Sequence, residues 1–280
     1  MAKLLKSNLL RLLRSLSFWI CMIIQLAYIV INLLLRITFH EFGGLDAMYM
    51  SIVTIENAFF PSAGFAVLIM GILFIGEEYS SKTIDHKIIL GFSKTEIYMS
   101  YFLTIFIGSM IILVAKLITL SHVILPLLVD GYKFDYRSQY LLAILFLTVF
   151  LMAFYSAFSV LIITLSKNST TALWTTIIFY IGFLLLIIAN IIELDYIPEE
   201  YLEHSVQSTI QDNNLIYENM PSKFKRDCNK FFADYIPFLQ CMQISEGQPL
   251  CVWQMTLYSC INTAITLFGG VHFFKKQQLK

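Results

Sequence analysis

The chain has 280 residues, of which 58% are apolar and 14% charged, and its formal net charge is zero. Soluble domains run about 45–50% apolar and about 25% charged, so this composition points to lipid, and the neutral balance excludes a globally basic nucleic-acid binder. The 24 Phe and 15 Tyr suit a protein with aromatic side chains at membrane interfaces.

Residues 1–14 predict a short amphipathic helix. At about 100° per residue Lys3, Lys6, Ser7, Arg11 and Arg14 share one arc while leucines cover the rest, the pattern of a helix lying in the headgroup plane. A basic flank that only sets orientation fits the same residues. Six segments then reach the roughly 20 apolar residues that a crossing needs: 15–35, 58–76, 97–125, 138–166, 168–192 and 248–274. The first is too long for a signal-peptide core and lacks a small-residue cleavage site, so it is expected to stay as the first span.

Basic residues set the expected topology. Lys3, Lys6, Arg11 and Arg14 precede the first span, Lys82, Lys87 and Lys94 follow the second, Lys167 joins the fourth to the fifth, and Lys275, Lys276 and Lys280 follow the last. The long polar segment 193–247 carries ten acidic residues against four basic ones. The expectation is an all-α integral membrane protein, one transmembrane domain over 1–280. It comprises an interfacial amino-terminal helix, six spans, a cytoplasmic segment 77–96 and an external loop 193–247, with both termini cytoplasmic.

Gly76 to Thr83 reads GEEYSSKT, one residue from the phosphate-binding pattern G-x-x-x-x-G-K-[ST]. Ser81 stands where the second glycine belongs, and a side chain there crowds a turn whose backbone amides must wrap a phosphate. The preceding run, Ala58 to Gly76, is an uncharged stretch of membrane length rather than a buried strand. Nucleotide binding at this site is not expected.

Extended to Tyr101, the same stretch reads GEEYSSKTIDHKIILGFSKTEIYMSY. Acidic Glu77 and Glu78 lead into Thr83-Ile84, an apolar run from Ile88 to Leu90, and then Gly91, Ser93 and Lys94. This resembles the cytoplasmic segment between the second and third spans of ABC-2 type export permeases, the membrane subunits of bacterial ATP-binding-cassette exporters. Lys82 departs from that pattern at a usual glycine, and Tyr101 stands where lysine is common. The resemblance covers about 25 residues in motif and the whole chain in layout.

The resemblance implies an ABC-2 exporter fold with no enzyme activity and no bound cofactor in this chain, ATP and Mg being held by partner ABC ATPase subunits. Those subunits would dock at Glu77, Glu78, Thr83, Ile84, Lys87, Ile88, Gly91, Ser93 and Lys94. It further implies a dimer with a second permease copy or a paralogue in the bacterial cell membrane. The expected cargo is an amphipathic peptide, such as a bacteriocin, lantibiotic or other toxin, or a membrane-active antibiotic. Independently of the family, apolar Ile84, Ile88 and Ile89 rimmed by Glu78, Lys82, Asp85 and Lys87 suit a groove on a soluble partner, and Gly91 suits a sharp turn.

Lys116 is a charge inside a span, and such charges face an interior or a wet cavity. It is a candidate for the pathway or a gate, facing Glu56, and a structural pair or snorkelling is the slightly favoured alternative. Cys228 and Cys241 fall on the expected external side, where a disulfide is permitted and two free thiols are the alternative. Cysteine spacing suggests no metal site, and His272 reads as an interfacial residue.

Two rivals remain. Glu77-Glu78 with Lys82, and Phe268 with His272, are similar to the Glu-Glu-x-x-x-Arg and Phe-x-x-x-His elements of intramembrane CAAX-type proteases, but the further His-x-x-x-Asn element is missing. A non-transporting immunity or sensor subunit of an ABC complex would share the exporter layout.

Overall fold

The structure, a computed structural model, describes residues 1–43, 61–119, 138–188, 231–232, 234–245 and 252–277. Nine helices cover most of these residues: α1 (Ala2–Arg14), α2 (Leu16–Gly43), α3 (Pro61–Ser80), α4 (Thr83–Ile89), α5 (Lys94–Thr119), α6 (Ser138–Ser166), α7 (Ser169–Ile188), α8 (Pro237–Ser245) and α9 (Val252–Lys276). Four stretches are long and apolar enough to cross a membrane: Ala63–Ser80, Lys94–Thr119, Ala143–Ser166 and Val252–Lys276. Helix α1 and the Leu16–Ile31 part of α2 pass the same test as one span bent by 59°. The chain is therefore all-helical among its described residues and has the build of a multi-pass membrane protein, the arrangement that lets every backbone group bond within its own segment.

Helix α6 is the centre of the bundle, packed against α3, α5, α7 and α9. Small residues bring α3 close to it: Gly64 lies against the Tyr155 ring, and a Cβ at Gly71 would overlap the Ser159 side chain. Their spacing of seven keeps both on one helix face, the close-approach geometry that replaces the hydrophobic effect between helices in lipid. Hydroxyls inside the spans turn back on their own helices, as Thr148 does to the Ile144 carbonyl at 2.8 Å and Thr104 to that of Ser100 at 2.6 Å. The outward faces are apolar, with Ile23 and Ile24 on α2, Trp174 and Ile178 on α7, and Trp253 and Phe268 on α9 all exposed. These are the surfaces that lipid covers.

Ser15 makes the bend between α1 and α2. It is extended (φ −73°, ψ 139°), its hydroxyl donates to the Leu12 carbonyl at 2.7 Å, and it accepts from the Phe18 amide at 3.4 Å. One side chain thus ends α1 and caps α2. The buried line of α1 is Leu4, Asn8 and Leu12, one residue per turn, and it packs along α5.

One end of the bundle gathers both chain termini. The Met1 amino group lies 3.4 Å from Glu96, Lys94 Nζ donates to the Lys275 carbonyl at 3.2 Å, and Gln277 Nε2 donates to the Thr164 carbonyl at 2.7 Å.

Part of the segment 193–247, expected as an external loop, is folded into the bundle. Leu239, Gln240 and Cys241 are buried. Tyr155 donates to the Pro237 carbonyl at 3.2 Å, Gln240 Nε2 to the Met255 carbonyl at 3.1 Å, and Ser259 to Gln240 Oε1 at 2.6 Å. Tyr155 lies about 16 Å along α6 from Ser166 at about 1.5 Å per residue, so this piece reaches roughly half the depth of a hydrocarbon core of about 30 Å. The physical reason lies in FFADYIPFLQC, residues 231–241, which is apolar but far too short to cross. Such a run can enter a membrane only where neighbouring helices meet its backbone and polar groups. Residues 193–230, 233 and 246–247 lie outside the described residues.

Candidate functional site

The site grows from the junction between α3 and α5. Helix α3 continues through Glu77 and Glu78 to Ser80, past the expected end of the second span at 76. Gly76 to Ser80 is therefore helix, packed at Gly76 against Ser169, and forms no phosphate loop. The chain turns at Ser81 and Lys82. Ser81 Oγ donates to the Glu77 carbonyl at 2.8 Å, and Lys82 adopts the left-handed conformation (φ 54°, ψ 22°) before α4 begins.

Two local motifs define the other end of α4. The Gly91 amide donates to the Ile88 carbonyl at 2.9 Å and the Phe92 amide to that of Lys87 at 3.2 Å, with Gly91 at φ 89°. This is a Schellman ending, and it needs a residue free of the Cβ penalty at Gly91. Ser93 then opens α5 in a capping box: its amide donates to Glu96 Oε2 at 3.0 Å, and the Glu96 amide returns to Ser93 Oγ at 3.2 Å.

Inside this frame lies a buried ionic joint. Glu78 is 1% exposed and forms ion pairs with both Arg11 of α1 and Lys87 of α4. Lys87 Nζ donates to the two Glu78 oxygens at 2.6 and 2.7 Å and to Asn8 Oδ1 at 3.0 Å. The Tyr101 hydroxyl of α5 also donates to Glu78. Asn8 Nδ2 passes the network on to Ser100 at 3.0 Å, and the Arg11 guanidinium sits 4.3 Å from the centre of the Phe74 ring.

Four helices, α1, α3, α4 and α5, thus share one carboxylate. Two cations against one anion leave the joint with net positive charge. Burial pulls the Lys87 ammonium below its usual range, while the Glu78 carboxylate beside it pulls the other way.

The joint redistributes the nine residues expected to dock a partner. Glu78, Ile84 and Lys87 face inward, and Thr83 and Ile88 are half-buried. Ser93 caps α5, and Lys94 holds the carbonyls at the end of α9. Glu77 and Gly91 are exposed. The outward apolar tip is formed instead by Ile89, 79% exposed, and Leu90, 75% exposed, beside the Gly91 turn.

Arg11, which the helical pattern groups with the outward basic residues of α1, is drawn in by Glu78. Asn8 and Tyr101 were not expected to contribute. The signals for them are an asparagine in register with Leu4 and Leu12, and a glutamate at the end of an apolar run, which demands a cation and donors.

Other expected positions stand apart. Lys116 is 1% exposed and its Nζ has no hydrogen-bond partner among the described residues, while Glu56 lies outside them. Cys241, a possible half of a bridge with Cys228, is a free buried thiol 3.4 Å from the Tyr155 hydroxyl, and Cys228 lies outside the described residues. His272 is exposed on α9, and no group of three His, Cys, Asp or Glu side chains among the described residues is placed to hold a metal ion. The Glu78 oxygens needed for the protease resemblance are already engaged by Arg11, Lys87 and Tyr101.

No protein-family model matches the chain, and no curated protein matches it.

Proposed function

We propose that the chain is the membrane-spanning permease subunit of an ATP-driven exporter of the ABC-2 type. In this reading the chain has six spans, with both termini and residues 77–96 in the bacterial cytoplasm. ATP is hydrolysed by separate ABC ATPase subunits, a second permease copy or paralogue completes the complex, and the cargo is an amphipathic peptide or membrane-active toxin or antibiotic.

The observation that carries this reading is a short helix whose exposed tip is apolar and whose base is ionically fixed to the spans. Ile89 and Leu90 project beside the Gly91 turn, while Lys87, one turn or less away, is bonded to Glu78 of α3 and Asn8 of α1. A load applied at Ile89 is passed to α1, α3 and α5 together, because all three meet at the same carboxylate. An exposed pair of large apolar residues at the polar end of a membrane bundle also suits a soluble partner's groove.

The test is co-purification with the cognate ABC ATPase, co-expressed with the chain. Ile89→Asp and Leu90→Asp place a charge where the partner's groove must exclude water. An unpaired buried charge costs several kcal/mol, and about 1.4 kcal/mol is tenfold in affinity, so recovery of the ATPase is expected to collapse. Ile210→Asp, in the long polar segment, is expected to leave recovery intact. Full retention by both tip variants would mean that the ATPase docks elsewhere or that no such partner exists.

A further inference from the structure

A cavity of about 160 Å³ lies at mid-depth between α3, α6, α7 and the inserted residues 236–241. Its walls are largely aromatic, with Phe65, Phe154, Phe158, Tyr180 and Phe238 among the lining residues. The rings brace one another: Tyr180 meets Phe238 edge to face at 4.9 Å between centroids, and Phe154 stacks on Phe158 at 5.6 Å. An apolar cavity of about 150 Å³ in a protein core stays dry and admits a benzene-sized guest, so this one has room for a slender apolar group.

We propose that this cavity binds one acyl chain of a membrane lipid. The polar atoms of its deep wall are already engaged. Tyr155 donates to the Pro237 carbonyl and lies 3.4 Å from the Cys241 sulfur, and Thr176 donates to the Ala172 carbonyl. A water enclosed here would lack the two to four polar partners it needs, and a polar ligand would lose its own hydrogen bonds. Beyond Tyr155, Thr176 and Cys241, Tyr180 is the one lining residue with a polar side-chain atom, so an apolar guest fits best.

The wall at Phe179 tells where that guest comes from. Phe179 is 52% exposed, and its α7 neighbours Trp174 and Ile178 are exposed as well, so the cavity borders the surface that lipid covers. At this depth a bilayer presents the middle of its acyl chains, which carry no polar group and are in large excess. A chain seated here would fill the gap behind α7 and hold residues 236–241 against α6. The inference stands on the membrane-spanning build alone and does not depend on the exporter reading.

The test uses the full chain in nanodiscs of phosphatidylcholine that carries a diazirine at mid-chain. After irradiation, adducts are mapped by mass spectrometry. Adducts are expected on Ile178 and Trp174, which face lipid whatever the cavity holds. They are also expected on Tyr155 or Cys241, each 4% exposed and reached only from inside the cavity.

Thr176→Phe and Leu68→Phe each put added bulk into the space, and either is expected to lower the inner adducts about tenfold, the equivalent of about 1.4 kcal/mol of lost affinity, with the Ile178 adducts unchanged. Thr176→Val, which keeps the volume, is expected to leave both sets intact. Wild-type protein labelled at Ile178 and Trp174 but not at Tyr155 or Cys241 would overturn the proposal. So would inner adducts that persist in a filled variant whose melting temperature shows it to be folded.

Discussion

Two regions of the bundle hold short pieces of chain, and the polar contacts differ between them. At the end that gathers the termini, α1 and α4 are tied to α3 and α5 through the Arg11–Glu78–Lys87 joint. At mid-depth, residues 236–241 are held by bonds between neutral groups, from the Tyr155 hydroxyl to the Pro237 carbonyl and from the Ser259 hydroxyl to Gln240, with the buried Asp234 carboxyl just before them. Charges at the bilayer centre are costly, whereas long cationic stems near a helix end can keep a foot in water. Arg11 does so, with its side chain 36% exposed while Glu78 is sealed. The ionic joint thus sits where one of its cations still reaches water, whereas the bonds that hold 236–241 join neutral groups.

The sharpest way to break that contrast is Glu78→Gln. It leaves Arg11 and Lys87 facing each other across a neutral amide, and removing one partner of a buried charge set costs about 3–5 kcal/mol. Thermal unfolding of the purified protein should show the loss, and Arg11→Met should cost much less because a paired Lys87–Glu78 remains. Equal effects would mean that the carboxylate is not the hub. Gln240→Leu tests the neutral side. It leaves the Ser259 hydroxyl to find a partner elsewhere, a penalty of about 1–3 kcal/mol, so it should fall below Glu78→Gln in the same assay. A larger loss there would put the stability of the bundle at mid-depth rather than at the joint.

What could be read from the sequence divides along the same line. Long uncharged runs predicted the helices of the bundle because apolar length alone decides whether a segment can cross. Gly91 was legible as a turn, since a left-handed helix end favours glycine. Glu78 and Lys87 stand out in the sequence as charges beside an apolar run, but their direction is not legible, because helical periodicity does not say which neighbour a charge will meet. Asn8, Arg11 and Tyr101 lie 70, 67 and 23 residues from Glu78 in the chain, and only folding brings them to it. The insertion of 234–241 was missed for a different reason: its apolar run is shorter than a span, and the flanking acidic residues read as an external loop.

The turn at Gly91 sharpens the picture further. Gly91→Ala introduces a Cβ that meets no atom within 4 Å, so the cost is conformational, about 1 kcal/mol for a left-handed non-glycine residue. A small drop in melting temperature is expected, with a larger loss of ATPase recovery if the Ile89–Leu90 tip must be presented at a fixed angle. Loss of stability without loss of recovery would separate the turn from docking.

The smallest effect is expected at Lys82, where the sign reverses. Lys82 is exposed, makes no side-chain cap to α4, and holds φ 54°, ψ 22°, a region that costs an L-residue about 1–2 kcal/mol. Lys82→Gly removes that strain but adds about 0.5–1 kcal/mol of backbone entropy to the unfolded chain, leaving a net gain of about 0.5 kcal/mol. Lys167, at φ 54° between α6 and α7, is in the same position, and Lys167→Gly should move in the same direction. A melting temperature that rises for Lys82→Gly and falls for Gly91→Ala would show that both ends of α4 are set by backbone conformation. If Lys82→Gly instead lowered the melting temperature by as much as Gly91→Ala, the Lys82 ammonium would have to contribute a charge contact that outweighs the strain, and the joint would extend beyond Glu78 to the exposed rim of the turn.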